Sequence, residues 1–123
     1  MNTAFATPTT SHRAIVYRTM GSKPGPITRL MSPSDLGEHL RPFVFLDHFE
    51  AESSSFGGFG MHPHSGIATL TWMMQGSASY EDTTGKEGVL PEGGVEWMQA
   101  GGGVWHSSSP TAGTPMRGFQ LWV

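Results

Sequence analysis

The distribution of glycine and proline along the chain restricts its fold more than any other feature. The sequence contains 17 glycines and 9 prolines, together 26 of its 123 residues. They interrupt most of the stretches that would otherwise be long enough for a helix, and both residue types are poor helix formers. The sequence therefore predicts many short strands joined by turns, with almost no helix.

The segments between these turns are rich in β-branched and aromatic residues. Residues 43–49 are apolar on both faces of a strand, so we expect them to be buried on both. A second long strand is predicted from His62 through Met74, and shorter ones over 14–18, 27–31, 77–82, 95–99, 104–107 and 116–123. Eight or more regularly spaced strands predict an all-β fold, a small barrel or jelly roll. We expect residues 1–11 to form a disordered lead-in and residues 12–123 a single domain.

Composition excludes several classes of function. The net charge is −3 and only 14% of the residues are charged, without a basic cluster, so we expect no direct nucleic acid partner and no membrane partner. The chain has no cysteine, which excludes disulfides and thiolate metal sites. It carries no recognisable secretory signal and no apolar run near the ~20 residues of a membrane span. These features predict a cytoplasmic protein.

Three histidines stand out as candidate metal ligands. His62 and His64 form an i, i+2 pair, and His106 follows the glycine run at 101–103. Alternate residues of a strand share a face, so the three imidazoles converge if the two strands are neighbours. Three histidines can bind one divalent ion and leave coordination positions open for substrate. The same parity predicts that Ala68 and Ser108 also point inward.

The alternative is that these side chains bind no metal, because His-x-His pairs on strands are common. His12, His39 and His48 have no partner in the sequence, and we expect surface or hydrogen-bonding roles for them, with His48 as a buried core histidine. The aromatic residues are expected to form the core: Phe43, Phe45, Phe49, Trp72, Trp97, Trp105 and Trp122.

The residues around the histidines resemble the two cupin motifs as the pirin family carries them. The first motif is matched by His62-Pro63-His64-Ser65-Gly66, Thr69-Leu70-Thr71 and Gln75-Gly76. The second is matched by Gly88, Gly93, Val95-Glu96-Trp97-Met98, Ala100-Gly101-Gly102-Gly103 and His106-Ser107. Residues 43–49 and 119–122 resemble the flanking strands, so the resemblance covers about residue 41 to the end. It implies a cupin double-stranded β-helix barrel.

The resemblance also implies a site and an activity. Pirins bind one metal, usually iron, through three histidines and one glutamate, which implies His62, His64 and His106 as metal ligands. Ser108 stands where the family has its glutamate, and Ala68 where cupins at large place one. Family members are linked to dioxygenase action on flavonols such as quercetin, and to transcriptional co-regulation through protein partners.

Three functions follow as expectations. The first is an iron(II)-dependent dioxygenase on a phenolic, flavonol-like substrate, with nickel, zinc, manganese and copper as alternative metals. The second is a non-enzymatic metal-binding or regulatory module that binds a protein partner through a degenerate site. The third is a stable barrel with a vestigial pocket. Because pirins carry a second cupin domain that we expect this chain to lack, exposed apolar surface predicts a homodimer or larger assembly.

Overall fold

The computed structural model describes residues 13–52, 54–111 and 113–123. The predicted lead-in over 1–11 and His12 lie outside the described residues. The described chain forms nine strands and one short 3-10 turn, Leu36–Glu38. The strands are β1 (Ile27–Met31), β2 (Phe45–Ala51), β3 (Phe59–His64), β4 (Ala68–Gln75), β5 (Ala78–Asp82), β6 (Glu87–Leu90), β7 (Val95–Gln99), β8 (Val104–Pro110) and β9 (Met116–Trp122).

Two antiparallel sheets make up the fold. The five-stranded sheet has the order β1-β2-β9-β4-β7, and the four-stranded sheet has the order β3-β8-β5-β6. Side chains from both sheets line one cavity, which therefore lies between them. The architecture confirms the predicted all-β fold class. None of the helical segments in the described residues has the length and hydropathy that crossing a membrane requires.

The core is built from the inward faces of the strands. In β2, Phe45, Asp47, Phe49 and Ala51 are buried, whereas the residues between them are half-buried or exposed. The prediction that both faces of this segment are buried is therefore wrong. One apolar cluster contains Phe49, Met73, Ala78, Leu90 and Met116, and a smaller one contains Met98, Ala100 and Val104.

The predicted strand from His62 through Met74 is broken in two. Gly66 has φ +74°, a left-handed conformation that only glycine adopts at low cost. Its N–H donates to the Ala100 carbonyl at 3.1 Å, and the chain then enters the other sheet. Because the alternation restarts there, Thr69 and Thr71 face inward and Ala68 shares the opposite face with Trp72. The prediction that Ala68 points inward is wrong.

Two further expectations are corrected at the surface. Residues 14–18 form no strand, and Ile15 and Val16 are 66% and 93% exposed. Four of the aromatic residues predicted for the core are exposed instead: Phe43, Trp72, Trp97 and Trp105. The outward side of the five-stranded sheet carries a continuous apolar surface, which we call the outer face: Leu46, Leu70, Trp72, Val95, Trp97, Phe119 and Leu121.

Candidate metal centre

The three predicted histidines lie together in the structure. His62 of β3 and His106 of β8 are directly opposite each other in the antiparallel pair, with their Nε2 atoms 3.0 Å apart. His64 follows two residues later on the same face of β3. One ring nitrogen from each residue lies within 4.8 Å of the others, and the ring centroids are 4.4 to 5.0 Å apart. The expected convergence of the imidazoles is thus observed.

Neighbouring groups orient two of these rings. The Nδ1–H of His62 donates to the Gly60 carbonyl at 2.7 Å, so its Nε2 carries a lone pair, which lies within hydrogen-bond distance of His106 Nε2. His64 is buried and packs edge-on against Trp122 at a centroid distance of 5.0 Å. Its Nε2 has no hydrogen-bond partner among the described residues. A buried nitrogen in that state is destabilising unless a ligand or an ion satisfies it.

Burial keeps the site in the protonation state that metal ligation requires. The pKa of His106 is lowered from 6.5 to about 4, first by burial and then by the neighbouring charges of His62 and His64, against a smaller opposing effect of Asp82. Burial also lowers the pKa of His64, with His62 as the second cause. Both imidazoles are therefore neutral at physiological pH, with lone pairs available to a cation.

The donor set fits one divalent metal ion. Two nitrogens that bind the same ion at about 2.1 Å, with a right angle at the ion, are about 3.0 Å apart. The Nε2 atoms of His62 and His106 have this separation. Within the described residues, the histidine, aspartate and glutamate side chains that come close enough to share an ion are His62, His64 and His106. Ser108 lines the same cavity, as predicted, but supplies no carboxylate.

Two of the three histidines, His62 and His106, line a cavity between the two sheets. Its volume is about 60 Å³, which gives room for about four water molecules. The apolar part of the lining is made by Ile27, Phe49, Phe59, Met73, Ala78, Leu90 and Met116. The polar part is made by Asp47, His62, Thr71, Tyr80, Glu96, His106, Ser108 and Gln120. The cavity therefore combines apolar walls with a few polar groups, as small-molecule sites do.

A polar row crosses the five-stranded sheet and forms one wall of the cavity. The register pairs Arg29 with Asp47, Asp47 with Gln120, Gln120 with Thr71, and Thr71 with Glu96. Arg29 donates two hydrogen bonds of 3.1 Å to the two oxygens of Asp47. The positive charge of Arg29 thereby neutralises this buried carboxylate. The remaining carboxylate of the cavity wall belongs to Glu96.

Sequence reasoning did not include Glu96 in the site. In β7 the exposed residues are Val95, Trp97 and Gln99, so Glu96 and Met98 face inward. Burial raises the pKa of Glu96, against the opposing effect of its hydrogen bond with Thr71. Strand parity could have placed Glu96 inward, but the apolar Val95 and Trp97 suggested the opposite face as the core side.

The other histidines do not join the site. His39 is exposed, as expected. His48 is half-buried on the opposite side of β2 from Asp47 and packs against the ring of Phe119 at a centroid distance of 5.0 Å. Its predicted role as a buried core histidine is wrong, because β2 buries only one face.

Comparison with known proteins relates this geometry to a family. Residues 26–123 match the pirin family. A pirin-like protein from Caulobacter vibrioides is 43% identical over 100 residues, which cover 79% of this chain and 36% of that protein. The chain thus spans about a third of the length of that relative.

Solved structures have the same fold. The crystal structure of a quercetin 2,3-dioxygenase from Acinetobacter baumannii matches with a TM-score of 0.70 and 34% identity, over 79% of this chain and 37% of that one. The bacterial pirin YhhW from Escherichia coli, solved in complex with nickel(II), matches with a TM-score of 0.64 over 83% of this chain and 46% of its own. At 24% identity the latter establishes the cupin fold alone. By its match over residues 26–123 and its relatives, the chain belongs to the pirin family.

Proposed function

We propose that His62, His64 and His106 bind one divalent metal ion, iron(II) in the active form, and that the site oxidises a flavonol-like substrate with dioxygen. The observation that carries the proposal is the three-histidine cluster beside a cavity, with two Nε2 atoms 3.0 Å apart. Nickel, zinc, manganese and copper are alternatives, because they also accept imidazole nitrogen. The similarity to a protein named quercetin 2,3-dioxygenase supports the substrate class.

The chain's own residues prepare the site for this chemistry. A bound iron(II) ion would supply a Lewis acid that lowers the pKa of a substrate hydroxyl and a redox centre for dioxygen. His106 and His64 stay neutral because they are buried, and Gly60 holds the His62 ring in one tautomer. The cavity of about 60 Å³ admits one hydroxylated edge of an aromatic ring, so the remainder of a flavonol would lie at its mouth.

The charge of the site favours an anionic ligand. Three neutral imidazoles leave a divalent ion with its full +2 charge, and Ser108 provides no carboxylate to reduce it. The Asp47 carboxylate is already paired with Arg29. An ionised enol or phenol would therefore complete the charge of the site better than a neutral molecule.

Oxygen consumption tests this activity. Protein loaded with iron(II) without oxygen, then mixed with quercetin in aerated buffer, should consume oxygen in proportion to the quercetin lost. The His106→Ala variant should consume none above the rate of free iron. If the loaded wild-type protein retains its iron but consumes no oxygen with quercetin or other flavonols, the dioxygenase proposal is wrong.

A second candidate is a non-enzymatic, metal-binding regulatory module. It is favoured by Ser108, which leaves the metal one anionic ligand short, and by the exposed outer face, where Trp72 and Trp97 are 42% and 55% exposed. Metal retention without oxygen consumption is the result that this alternative predicts.

We also propose that the chain self-associates through the outer face and acts in the cytoplasm. Aromatic and aliphatic side chains from four adjacent strands form this surface, and apolar patches of that kind favour association. The cysteine-free sequence suits a reducing compartment. Sedimentation at micromolar concentration should detect a dimer that Trp97→Ser weakens, and a monomeric wild-type protein would contradict the proposal.

A further inference from the structure

We propose that Glu96 is the proton acceptor for the acidic hydroxyl of the substrate, on the cavity wall that faces the histidines. This inference rests on the proposed function, since it assumes a phenolic or enolic hydroxyl in the cavity. It assigns a role in that reaction to a residue outside the three-histidine cluster.

The position of Glu96 suits this role. Glu96 belongs to β7 of the five-stranded sheet, whereas His62 and His106 belong to β3 and β8 of the other sheet, and all three line the same cavity. Glu96 is not a member of the group whose ligand atoms lie within 4.8 Å of one another. A group held between the walls would meet the histidine cluster on one side and the carboxylate on the other.

Glu96 is also the cavity carboxylate with free accepting capacity. Two carboxylates line the cavity, and both oxygens of Asp47 accept hydrogen bonds from Arg29. The salt bridge found among the described residues is the one between Arg29 and Asp47, so Glu96 has no lysine or arginine partner there. Thr71, its neighbour across the strand pair, gives Glu96 one hydrogen bond. A carboxylate accepts several hydrogen bonds, so a substrate hydroxyl can still be bound.

The surroundings make Glu96 a stronger base than an exposed glutamate. Burial raises its pKa, and the negative charge of Asp82 on β5 raises it further, while the Thr71 hydrogen bond opposes both. His106, on the facing wall, is neutral at physiological pH. A carboxyl group whose pKa approaches that of the substrate hydroxyl transfers the proton with a smaller free-energy difference.

The step itself is a proton transfer. The substrate O–H bond breaks, an O–H bond forms at a carboxylate oxygen of Glu96, and the electron pair stays on the substrate oxygen. Nothing is oxidised or reduced. The negative charge thereby moves from the wall of the five-stranded sheet to the substrate.

The test uses a chromophoric phenol that reports its own ionisation. Neutral 4-nitrocatechol is mixed by stopped flow with zinc-loaded protein, which is redox-inactive, at a pH below that at which the free probe ionises, and the absorption of the bound ionised form is followed in time. We expect the ionised form to appear on wild-type protein, and Glu96→Gln to slow its appearance at least about tenfold, because the variant lacks the proton acceptor. Glu50→Gln, which alters an exposed residue on the outward side of β2, should match wild type, and Glu96→Asp should restore part of the effect.

The outcomes separate this inference from the proposed function. Equal rates in wild type and Glu96→Gln, at equal zinc content, would overturn the role of Glu96. A probe that fails to bind zinc-loaded wild-type protein would overturn it as well. A Glu96-dependent rate, in a protein that oxidises no flavonol, would support the proton acceptor and contradict only the dioxygenase activity.

Discussion

Metal-free protein should lose stability in mild acid, and His106 should be a main cause. Its pKa is about 4 in the folded protein against 6.5 for an ordinary histidine. At a pH between these values the unfolded chain binds a proton that the folded chain does not, so acid favours unfolding. The stability is fully present above about pH 6.5 and is lost as the pH falls toward 4. His64, whose pKa is also lowered, acts in the same direction.

The magnitude follows from the two pKa values. For one group with these values, the free energy of unfolding falls by about 2 kcal/mol between pH 7.5 and pH 5. His106 is only 5% exposed, so solvent screens this effect little. Replacing His106 with Asn removes the titrating group, and the variant should lose about 2 kcal/mol less than wild type over the same interval.

Urea unfolding with a chelator, at both pH values, measures this difference. Each protein is compared with itself, so the carboxylates that titrate in both proteins cancel. His39→Asn, at an exposed histidine, is the matched control and should behave as wild type. If His106→Asn and wild type lose the same free energy within about 0.5 kcal/mol, which is small against the ~1.36 kcal/mol of one pKa unit, the reasoning from burial is wrong.

Two further predictions concern the scaffold. Gly118→Ala should lower the free energy of unfolding by about 2 kcal/mol or more, because a Cβ would meet the Trp72 carbonyl oxygen and lie 2.5 Å from the Phe49 ring. Urea unfolding measures this loss. The control Gly101→Ala, which has open space around it, should leave the free energy of unfolding almost unchanged. Arg29→Ala should cost about 2 to 4 kcal/mol in the same assay, since it leaves a buried Asp47 unpaired. Adding Asp47→Asn to that variant should recover part of the loss, and no recovery would contradict the ion-pair explanation.

The convergence of the histidines could be predicted because it depends on local rules. His62 and His64 share a face by strand alternation, and the family resemblance supplied the neighbouring strand that carries His106. Alternation also put Ser108 in the cavity correctly. It failed at Ala68, because the apolar Ile67 hides the break at Gly66 that restarts the alternation in another sheet.

Hydrophobicity alone could not show which residues of β7 face outward. Val95 and Trp97 resemble core residues, yet they face outward and leave Glu96 inside. The row from Arg29 to Glu96 joins five strands that are distant in sequence, so only the sheet order reveals it. Residues 14–18 have a β-prone composition, but a strand needs a partner strand. Within the described residues, no strand pairs with this segment.

The metal content of the protein tests the central claim most directly. Wild-type protein equilibrated with iron(II) without oxygen, and then freed of unbound metal by gel filtration, should retain one equivalent per chain, and His106→Ala should retain almost none. Binding to the folded state should also raise the melting temperature of wild type alone. A wild-type protein without bound metal, or a His106→Ala variant that keeps a full equivalent, would contradict the assignment of His62, His64 and His106 as a metal site.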